Sequence, residues 1–261
     1  MAEVIIVRDQ EEAGSIAASL VVEQLQRKPD TVLGLATGST PLSTYAALAA
    51  TIRDMGLDVS QVRGFALDEY LGVPPEHPQS YRSVITSEVV VPLGLTPSLI
   101  HTPRGFGTGV QASGDEYESA ILAAGGIDIQ ILGIGTNGHV GFNEPGSSLA
   151  STTRIKALAA QTRADNARFF GSPGDVPTHC VTQGLGTIQR ARQLVLLAFG
   201  PAKASAVAAA LDGPVSASVP GSIVQLHPRA TVIVDEEAAA LLQHADYHRM
   251  ARAGVAGLGL G

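Results

Sequence analysis

Cysteine is almost absent from this chain of 261 residues, with Cys180 as its only thiol. A single cysteine excludes an intrachain disulfide and a zinc site built from several thiolates. Lysine is also scarce, because only Lys28, Lys156 and Lys203 occur. A lysine at the edge of a loop therefore does not reflect a general abundance of that residue.

No uncharged apolar run reaches the ~18 residues that a membrane helix needs, and the N-terminal MAEVIIVRDQ is unlike a signal peptide. The net charge is −7, and no block rich in Lys or Arg is present. An acidic chain without a basic patch argues against nucleic acid or an anionic membrane as partner. With 45% hydrophobic and 16% charged residues, we expect a globular, soluble, cytoplasmic protein.

Apolar strand-like runs alternate with helical segments along the chain, which predicts an α/β fold. We expect a doubly wound, mostly parallel sheet with helices on both faces, in one Rossmann-like domain over 1–261. Segment 80–93 looks helical, although VITSEVVV could form a strand, and a last helix should follow ATVIVD over 236–243. Segment 143–185 has little strand signal and is a candidate lid. The clearest strand-like runs are VIIVRD (4–9), TVLGLAT (31–37), IDIQILGIG (127–135) and ARQLVLLAFG (191–200).

Residues 133–138 spell G-x-G-x-x-G, the pattern of a dinucleotide-binding loop. That function also requires a following helix and an acidic residue roughly 20 positions on. Here HVGFNEPG follows, which predicts an irregular loop, and the distant position falls in the basic STTRIKAL. The glycines therefore indicate a purpose other than binding NAD.

The strand-end loop ATGSTP combines Gly38 with the hydroxyls of Ser39 and Thr40 before a helix that Pro41 can start. Free N–H groups at a helix start suit phosphate, although an ordinary capped turn has the same composition. Lys203 begins a helix after another strand, where a cation is unfavourable unless an anion binds. A solvated surface lysine is the alternative.

Two further strand ends carry titratable groups. In LDEY, the adjacent Asp68 and Glu69 should point to opposite sides, so one faces the crevice and the other supports it. In NGHVGFNE, His139 has Asn137 and Glu144 nearby, an arrangement suited to acid–base chemistry. The i, i+4 histidines of HADYH (244–248) lack a third ligand, so no metal is expected.

The residues alone thus indicate a phosphate anchor, a carboxylate base and a histidine acid–base group in one crevice. Such a site suits proton transfer on a phosphosugar, such as aldose–ketose interconversion. Neither a metal nor an organic cofactor is expected.

Taken together, these strand ends resemble the glucosamine-6-phosphate deaminase (isomerase) family. The resemblance implies conversion of glucosamine 6-phosphate and water to fructose 6-phosphate and ammonia. It leaves a monomer and a homo-oligomer both open. The matching stretches are GLATGSTPLSTYAAL (34–48), FALDEYLGVPPEHPQSYR (65–82), LGIGTNGHVGFNEPGSSLASTTRIKAL (132–158), TRADNARFF (162–170), TQGLGTI (182–188), FGPAK (199–203) and LHPRATVIVDEEAA (226–239).

Within that family pattern, Asp68 matches the base that moves a proton between sugar C2 and C1. At its ordinary pKa of ~3.9, it would be ionised at neutral pH. His139 matches the ring-opening group, supported by Asn137 and Glu144. Since some members have Asp in place of Asn137, His139 is expected to be less basic here. The phosphate site corresponds to Gly38, Ser39, Thr40, Arg168 and Lys203.

The resemblance also implies regulation, because Ser148, Arg154, Lys156 and Tyr247 match positions that bind the activator N-acetylglucosamine 6-phosphate in allosteric members. Two other functions are considered. A hydrolase related to 6-phosphogluconolactonase matches GHVGFNEPGSSL less well. A non-catalytic sugar-phosphate sensor would need neither Asp68 nor His139, and the basic footprint of a DNA-binding fusion is missing.

Overall fold

A computed structural model describes residues 2–172 and 174–257, so residues 1, 173 and 258–261 of the predicted domain lie outside the description. The strands are β1 (Glu3–Val7), β2 (Val32–Leu35), β3 (Arg63–Ala66), β4 (Asp68–Tyr70), β5 (Ile100–His101), β6 (Ile129–Gly133), β7 (Arg154–Ala157), β8 (His179–Thr182), β9 (Gln193–Ala198) and β10 (Ala230–Asp235). The α-helices are α1 (Gln10–Arg27), α2 (Leu42–Met55), α3 (Tyr81–Ile85), α4 (Val91–Leu93), α5 (Ser113–Ala123), α6 (Ala160–Phe170), α7 (Leu185–Gln189), α8 (Ala204–Leu211) and α9 (Ala245–Gly257).

Seven strands form one sheet in the order β1-β10-β9-β6-β2-β3-β5, and every pairing in it is parallel. All four residues of β2 are buried, as are nearly all of β6, β9 and β10. Strands covered on both faces have continuous apolar runs, which is why the sequence showed them so clearly. The predicted doubly wound α/β fold is confirmed.

A second sheet has three antiparallel strands in the order β4-β8-β7. It covers a smaller apolar cluster that includes Tyr70, Phe142 and Cys180. The expectation that 143–185 has little strand structure is therefore wrong, because β7 and β8 both lie in it. These strands are short, and β7 (RIKA) carries two charges and is not fully buried at any position, so it gives no apolar signal.

Of two other predicted helices, the one over 80–93 is present and the one over 236–243 is not. Segment 80–93 is helical, with a π-helical turn over Thr86–Val90 between α3 and α4, so the strand alternative is wrong. The helix predicted over 236–243 is also wrong, since that segment forms turns. There the Asp235 carboxylate accepts from the N–H groups of Ala238 and Gly200, and Gln243 N–H donates to Asp212 rather than along a helix. Within the described ranges, no helix is long and apolar enough to cross a membrane.

Candidate active site

A cavity of about 400 Å³ opens at the carboxyl ends of β2, β6 and β9. Because parallel strands end at the same edge of a sheet, loops distant in sequence converge there. The cavity brings together most of the predicted site residues, namely Gly38, Ser39, Thr40, Asp68, His139, Arg168 and Lys203. Asn137 and Glu144 are hydrogen-bonded to each other beside His139.

The loop after β2 keeps its polar groups available to the cavity. Gly38 adopts a φ of +91°, in the left-handed region that favours glycine. Pro41 is the N-cap of α2 and no side chain caps this helix, so the alternative of an ordinary turn capped by Ser39 or Thr40 is wrong. The Tyr45 hydroxyl instead bonds both backbone groups of Ala36 and fixes the strand end against α2. The start of α2 is thus suited to bind an anion.

Two cations approach this loop from different elements. Lys203 follows β9 at the start of α8, and burial lowers the pKa of its amine, with the Arg168 charge adding to the effect and Asp165 opposing it. Arg168 lies on α6, with its guanidinium 4.8 Å from the ring centre of Phe169. Two positive groups that face one cavity repel each other in the free protein, and a bound dianion would relieve that repulsion.

The carboxylates of Asp68 and Glu69 have separate surroundings, as their alternation on a strand predicts. Asp68 lines the cavity and is 5% exposed. Glu69 accepts hydrogen bonds from the N–H groups of Tyr70, Tyr81 and Arg82, at 2.8–2.9 Å. Glu69 therefore anchors the start of α3, and Asp68 alone of the pair is available for chemistry in the cavity.

Burial raises the pKa of Asp68 to about 8, and the neighbouring Glu69 charge adds to this rise. Hydrogen bonds from the Phe142 N–H and the Thr182 hydroxyl oppose it. The expected ionisation of Asp68 at neutral pH assumed the ordinary pKa, and burial moves the pKa well above that value. An aspartate exposed to solvent at a strand end has the ordinary pKa, whereas burial disfavours the charged form of this one.

The raised pKa of Asp68 should make the free energy of unfolding depend on pH. Between pH 3.8 and about 8, Asp68 holds a proton in the folded protein that it has lost in the unfolded chain. The contribution of Asp68 to the free energy of unfolding is therefore fully present below this range and is lost as pH rises through it. We expect Asp68→Asn to raise the free energy of unfolding at pH 8 by about 2–5 kcal/mol, since each pH unit corresponds to about 1.4 kcal/mol.

The measurement is urea unfolding of both proteins at pH 5 and pH 8, with the exposed Asp54→Asn as a control. The gain from Asp68→Asn should be clearly larger at pH 8 than at pH 5. A gain that is equal at the two pH values would show that ionisation of Asp68 is not its cause.

His139, Asn137 and Glu144 form a hydrogen-bonded chain. Asn137 Nδ2 donates to Glu144 Oε2 at 2.9 Å, and Asn137 Oδ1 lies 2.6 Å from His139 Nδ1. An ionised carboxylate only accepts, so it orients the amide with Oδ1 toward the imidazole. His139 Nδ1 must then carry the proton, which leaves Nε2 with a free lone pair. Burial lowers the pKa of His139, with Lys203 adding to the effect and Glu144 and Asp165 opposing it, so the ring is neutral at pH 7.

The G-x-G-x-x-G loop is explained by this histidine. A Cβ on Gly135 would lie 2.2 Å from the His139 ring, and Gly138 adopts a φ of +86°. The Gly135 N–H also donates to the His139 carbonyl at 2.8 Å. The glycines let the loop fold back so that the imidazole packs against its own backbone. Their purpose is to hold a histidine rather than a pyrophosphate.

The positions matched to an activator site lie apart from the cavity lining. Ser148 is exposed, and Arg154 and Lys156 are on β7. Arg154 is half-buried and donates to Asn143 Oδ1 at 2.8 Å. Tyr247 lies on α9, which packs against β1 at one edge of the main sheet, and no hydrogen bond within the described ranges joins it to the other three.

Several cavity residues were not predicted from the sequence. Thr162 and Asp165 on α6 line it together with Arg168, and so does Tyr81 from α3. Their spacing of three places 162, 165 and 168 on one helix face, a signal that TRADNAR does contain. Tyr81 had no such signal, because it reaches the cavity through its contact with Tyr70, at 4.8 Å between ring centres.

Within residues 2–172 and 174–257, no cluster of three or more His, Cys, Asp or Glu side chains is arranged to hold a metal ion. The cavity lining offers proton donors and acceptors, backbone N–H groups and cations. They can bind a phosphate at one side and transfer protons at the other.

Comparison with known proteins gives a consistent picture. Residues 9–233 match the sequence profile of the glucosamine-6-phosphate isomerases/6-phosphogluconolactonase. Over 260 residues the chain is 58% identical to a glucosamine-6-phosphate deaminase of Bifidobacterium longum, with 96% of each chain covered. It is 55% identical over 248 residues to the enzyme of that name from Streptomyces coelicolor, with 95% of each covered.

Solved structures agree. A monomeric glucosamine-6-phosphate deaminase superposes with a TM-score of 0.89 at 39% identity, covering 92% of this chain and all of that one. A 6-phosphogluconolactonase from Trypanosoma cruzi superposes with a TM-score of 0.73 at 19% identity, covering 93% and 97%. The second likeness concerns the fold alone.

Proposed function

Because the chain belongs to the family of glucosamine-6-phosphate isomerases and 6-phosphogluconolactonases, we propose that it converts glucosamine 6-phosphate and water to fructose 6-phosphate and ammonia. One observation carries the proposal: a buried carboxylate and a neutral histidine face the same cavity as an anion-binding helix start. Both activities named by the family need a phosphate site, but only the deaminase needs a base that removes a carbon-bound proton.

The first step falls to His139. Its Nε2 takes the proton of the C1 hydroxyl and delivers a proton to the ring oxygen, which breaks the C1–O5 bond and opens the pyranose. The fixed Nδ1–H···Oδ1 bond to Asn137 keeps Nε2 as the free nitrogen. Since Asn137 carries no charge, the imidazolium formed on the way is stabilised by the more distant carboxylates of Glu144, at 3.7 Å, and Asp165.

The second step falls to Asp68. The ionised carboxylate removes the C2 proton to give an enolamine and returns a proton to C1, which leaves an imine at C2. Water adds to that imine carbon and the C–N bond breaks, so ammonia departs and the ketone remains. A base with a pKa of about 8 is a better proton acceptor, once ionised, than an ordinary aspartate.

The test of the proposal is a coupled assay with purified protein, measuring ammonia and fructose 6-phosphate from glucosamine 6-phosphate. We expect both products in equal amounts and no hydrolysis of 6-phosphogluconolactone. Lactone hydrolysis without ammonia release would reverse the assignment within the family. Binding of the sugar phosphate without turnover would instead identify a sensor.

Arg168 and Lys203 are proposed to hold the phosphate. Each of Arg168→Ala and Lys203→Ala removes charge-assisted hydrogen bonds worth about 1.5–3 kcal/mol, so kcat/KM should fall by roughly 10- to 150-fold. The loss should be large for glucosamine 6-phosphate and small for glucosamine, because only the former has the phosphate. The exposed Arg53→Ala is the control, and equal losses for both substrates would remove these residues from the phosphate site.

We also propose that N-acetylglucosamine 6-phosphate activates the enzyme at Ser148, Arg154 and Lys156, with Tyr247 contributing. Arg154 supports this, because its partner Asn143 donates to the carbonyl of Val140, one residue after His139. The activator should lower the half-saturating substrate concentration by binding one state better. Hyperbolic kinetics that saturating activator leaves unchanged would contradict the proposal.

A further inference from the structure

Glu144 caps a helix from a distant part of the chain. The residue that precedes α6, Ala159, has no side chain able to cap it. Oε1 of Glu144 instead accepts from the Ala159 N–H at 3.1 Å and from the Thr162 hydroxyl at 2.5 Å. Thr162 lies in the first turn of α6 and is 2% exposed. A carboxylate at a helix start also interacts favourably with the helix dipole.

The other oxygen of the same carboxylate faces the histidine. Oε2 accepts from Asn137, whose Oδ1 holds His139 Nδ1. A continuous series of hydrogen bonds therefore runs from the Thr162 hydroxyl to the imidazole. Helix α6 also carries Arg168 into the cavity. The same helix therefore places a cation in the cavity and fixes Glu144.

We propose that Thr162 is a positioning residue, which holds the Glu144 carboxylate toward Asn137 and thereby fixes the orientation and tautomer of His139. The proposal rests on the proposed function only where it concerns turnover, since the tautomer of His139 exists in the free protein.

The physical reason is that a carboxylate can rotate about its last carbon–carbon bond. With the hydroxyl, Oε1 has two donors on α6 and Oε2 is left for the amide. Without it, Oε1 keeps one backbone donor, and the carboxylate can turn away from Asn137. The Asn137 amide is then no longer forced to present Oδ1 to the imidazole. The proton of His139 can then lie on Nε2 instead of Nδ1.

The charges that face His139 determine the expected titration. Glu144 and Asp165 raise the pKa of His139, whereas burial and Lys203 lower it. If Glu144 moves away, one of the two raising influences weakens. Loss of the Thr162 hydroxyl should therefore lower the pKa of His139 further below its ordinary value.

The experiment compares Thr162→Val, which removes the hydroxyl, with Thr162→Ser, which keeps it. Nitrogen NMR of the imidazole in the ligand-free protein reports the pKa and tautomer of His139, and steady-state kinetics report kcat and KM. For Thr162→Val we expect a lower pKa, a loss of the Nδ1–H tautomer, and a kcat about 10- to 100-fold lower with a smaller change in KM. Thr162→Ser should resemble the unmodified protein.

The control is Ala164→Gly, which weakens α6 at an exposed position and should leave the His139 spectrum unchanged. An unaltered His139 in Thr162→Val, equal impairment in Thr162→Ser, or the same spectral change in Ala164→Gly would each overturn the proposal. If Thr162→Val does not fold, Thr162→Ala is judged by the same criteria. The NMR measurement contains no substrate, so it tests the role of Thr162 even if the coupled assay finds no deamination.

Discussion

Asp68→Asn should lower the deamination rate by at least about 10²- to 10⁴-fold, the usual contribution of a positioned acid–base group, while substrate still binds and its ring still opens. The carboxamide has the size and shape of the carboxyl group that it replaces. It cannot take up the C2 proton, because an amide nitrogen is not basic at neutral pH. The expected defect is therefore confined to the step that forms the enolamine.

Deuterium exchange isolates that step. The enzyme and glucosamine 6-phosphate are mixed in heavy water, and NMR follows the loss of the C2 proton and the labelling at C1. The unmodified protein should exchange C2, and Asp68→Asn should not. Asp54→Asn is the control, because it removes an exposed aspartate outside the cavity lining and should keep the exchange. Near-normal loss of the C2 proton in Asp68→Asn would mean that another group is the base.

His139→Gln should produce a loss of similar size, about 10²- to 10⁴-fold, at a different step. Glutamine can donate or accept a hydrogen bond but cannot carry a proton from the C1 hydroxyl to the ring oxygen. The closed pyranose would then remain closed on the enzyme. The phosphate site and Asp68 are untouched, so the later proton transfer should survive.

An analogue of glucosamine 6-phosphate without the C4 and C5 hydroxyls tests this, since it can form neither a furanose nor a pyranose ring. We expect His139→Gln to exchange the C2 proton of the analogue at a rate near that of the unmodified protein. The exposed His244→Gln is the control and should behave normally with both compounds. If the analogue is impaired as severely as the natural sugar, His139 acts after ring opening.

The main sheet could be predicted because both of its faces are covered. A strand such as β9, QLVLLA, is apolar over five successive residues, and only a buried parallel strand or a buried helix has such a run. The three-stranded sheet could not be predicted in this way. Its strands have three or four residues and mixed polarity, and their pairing depends on contacts between β4 and β8, more than a hundred positions apart.

The sequence likewise predicts some features of the site and not others. Most of the site residues could be named from the sequence because Gly38, His139 and Lys203 lie in loops that follow strands of the main sheet, and parallel strands end at one edge. Their protonation could not, since the pKa of Asp68 depends on its burial in the folded chain and on hydrogen bonds from Phe142 and Thr182, which are distant in sequence. The role of Glu144 as the cap of α6 was equally hidden, because a cap is normally sought next to its helix.

Leu67 is the single residue between β3 of the large sheet and β4 of the small one. Its N–H donates to Leu35 in the large sheet at 2.9 Å, and its carbonyl accepts from Gln183, which directly follows β8, at 2.7 Å. The backbone is thus clamped on both sides immediately before Asp68. The span from Asp68 to the Gly38 loop, which follows the same Leu35 strand, is consequently set by sheet geometry rather than by adjustable side chains. If a phosphate binds at the Gly38 loop as proposed, a sugar one carbon shorter should therefore place a different carbon beside Asp68.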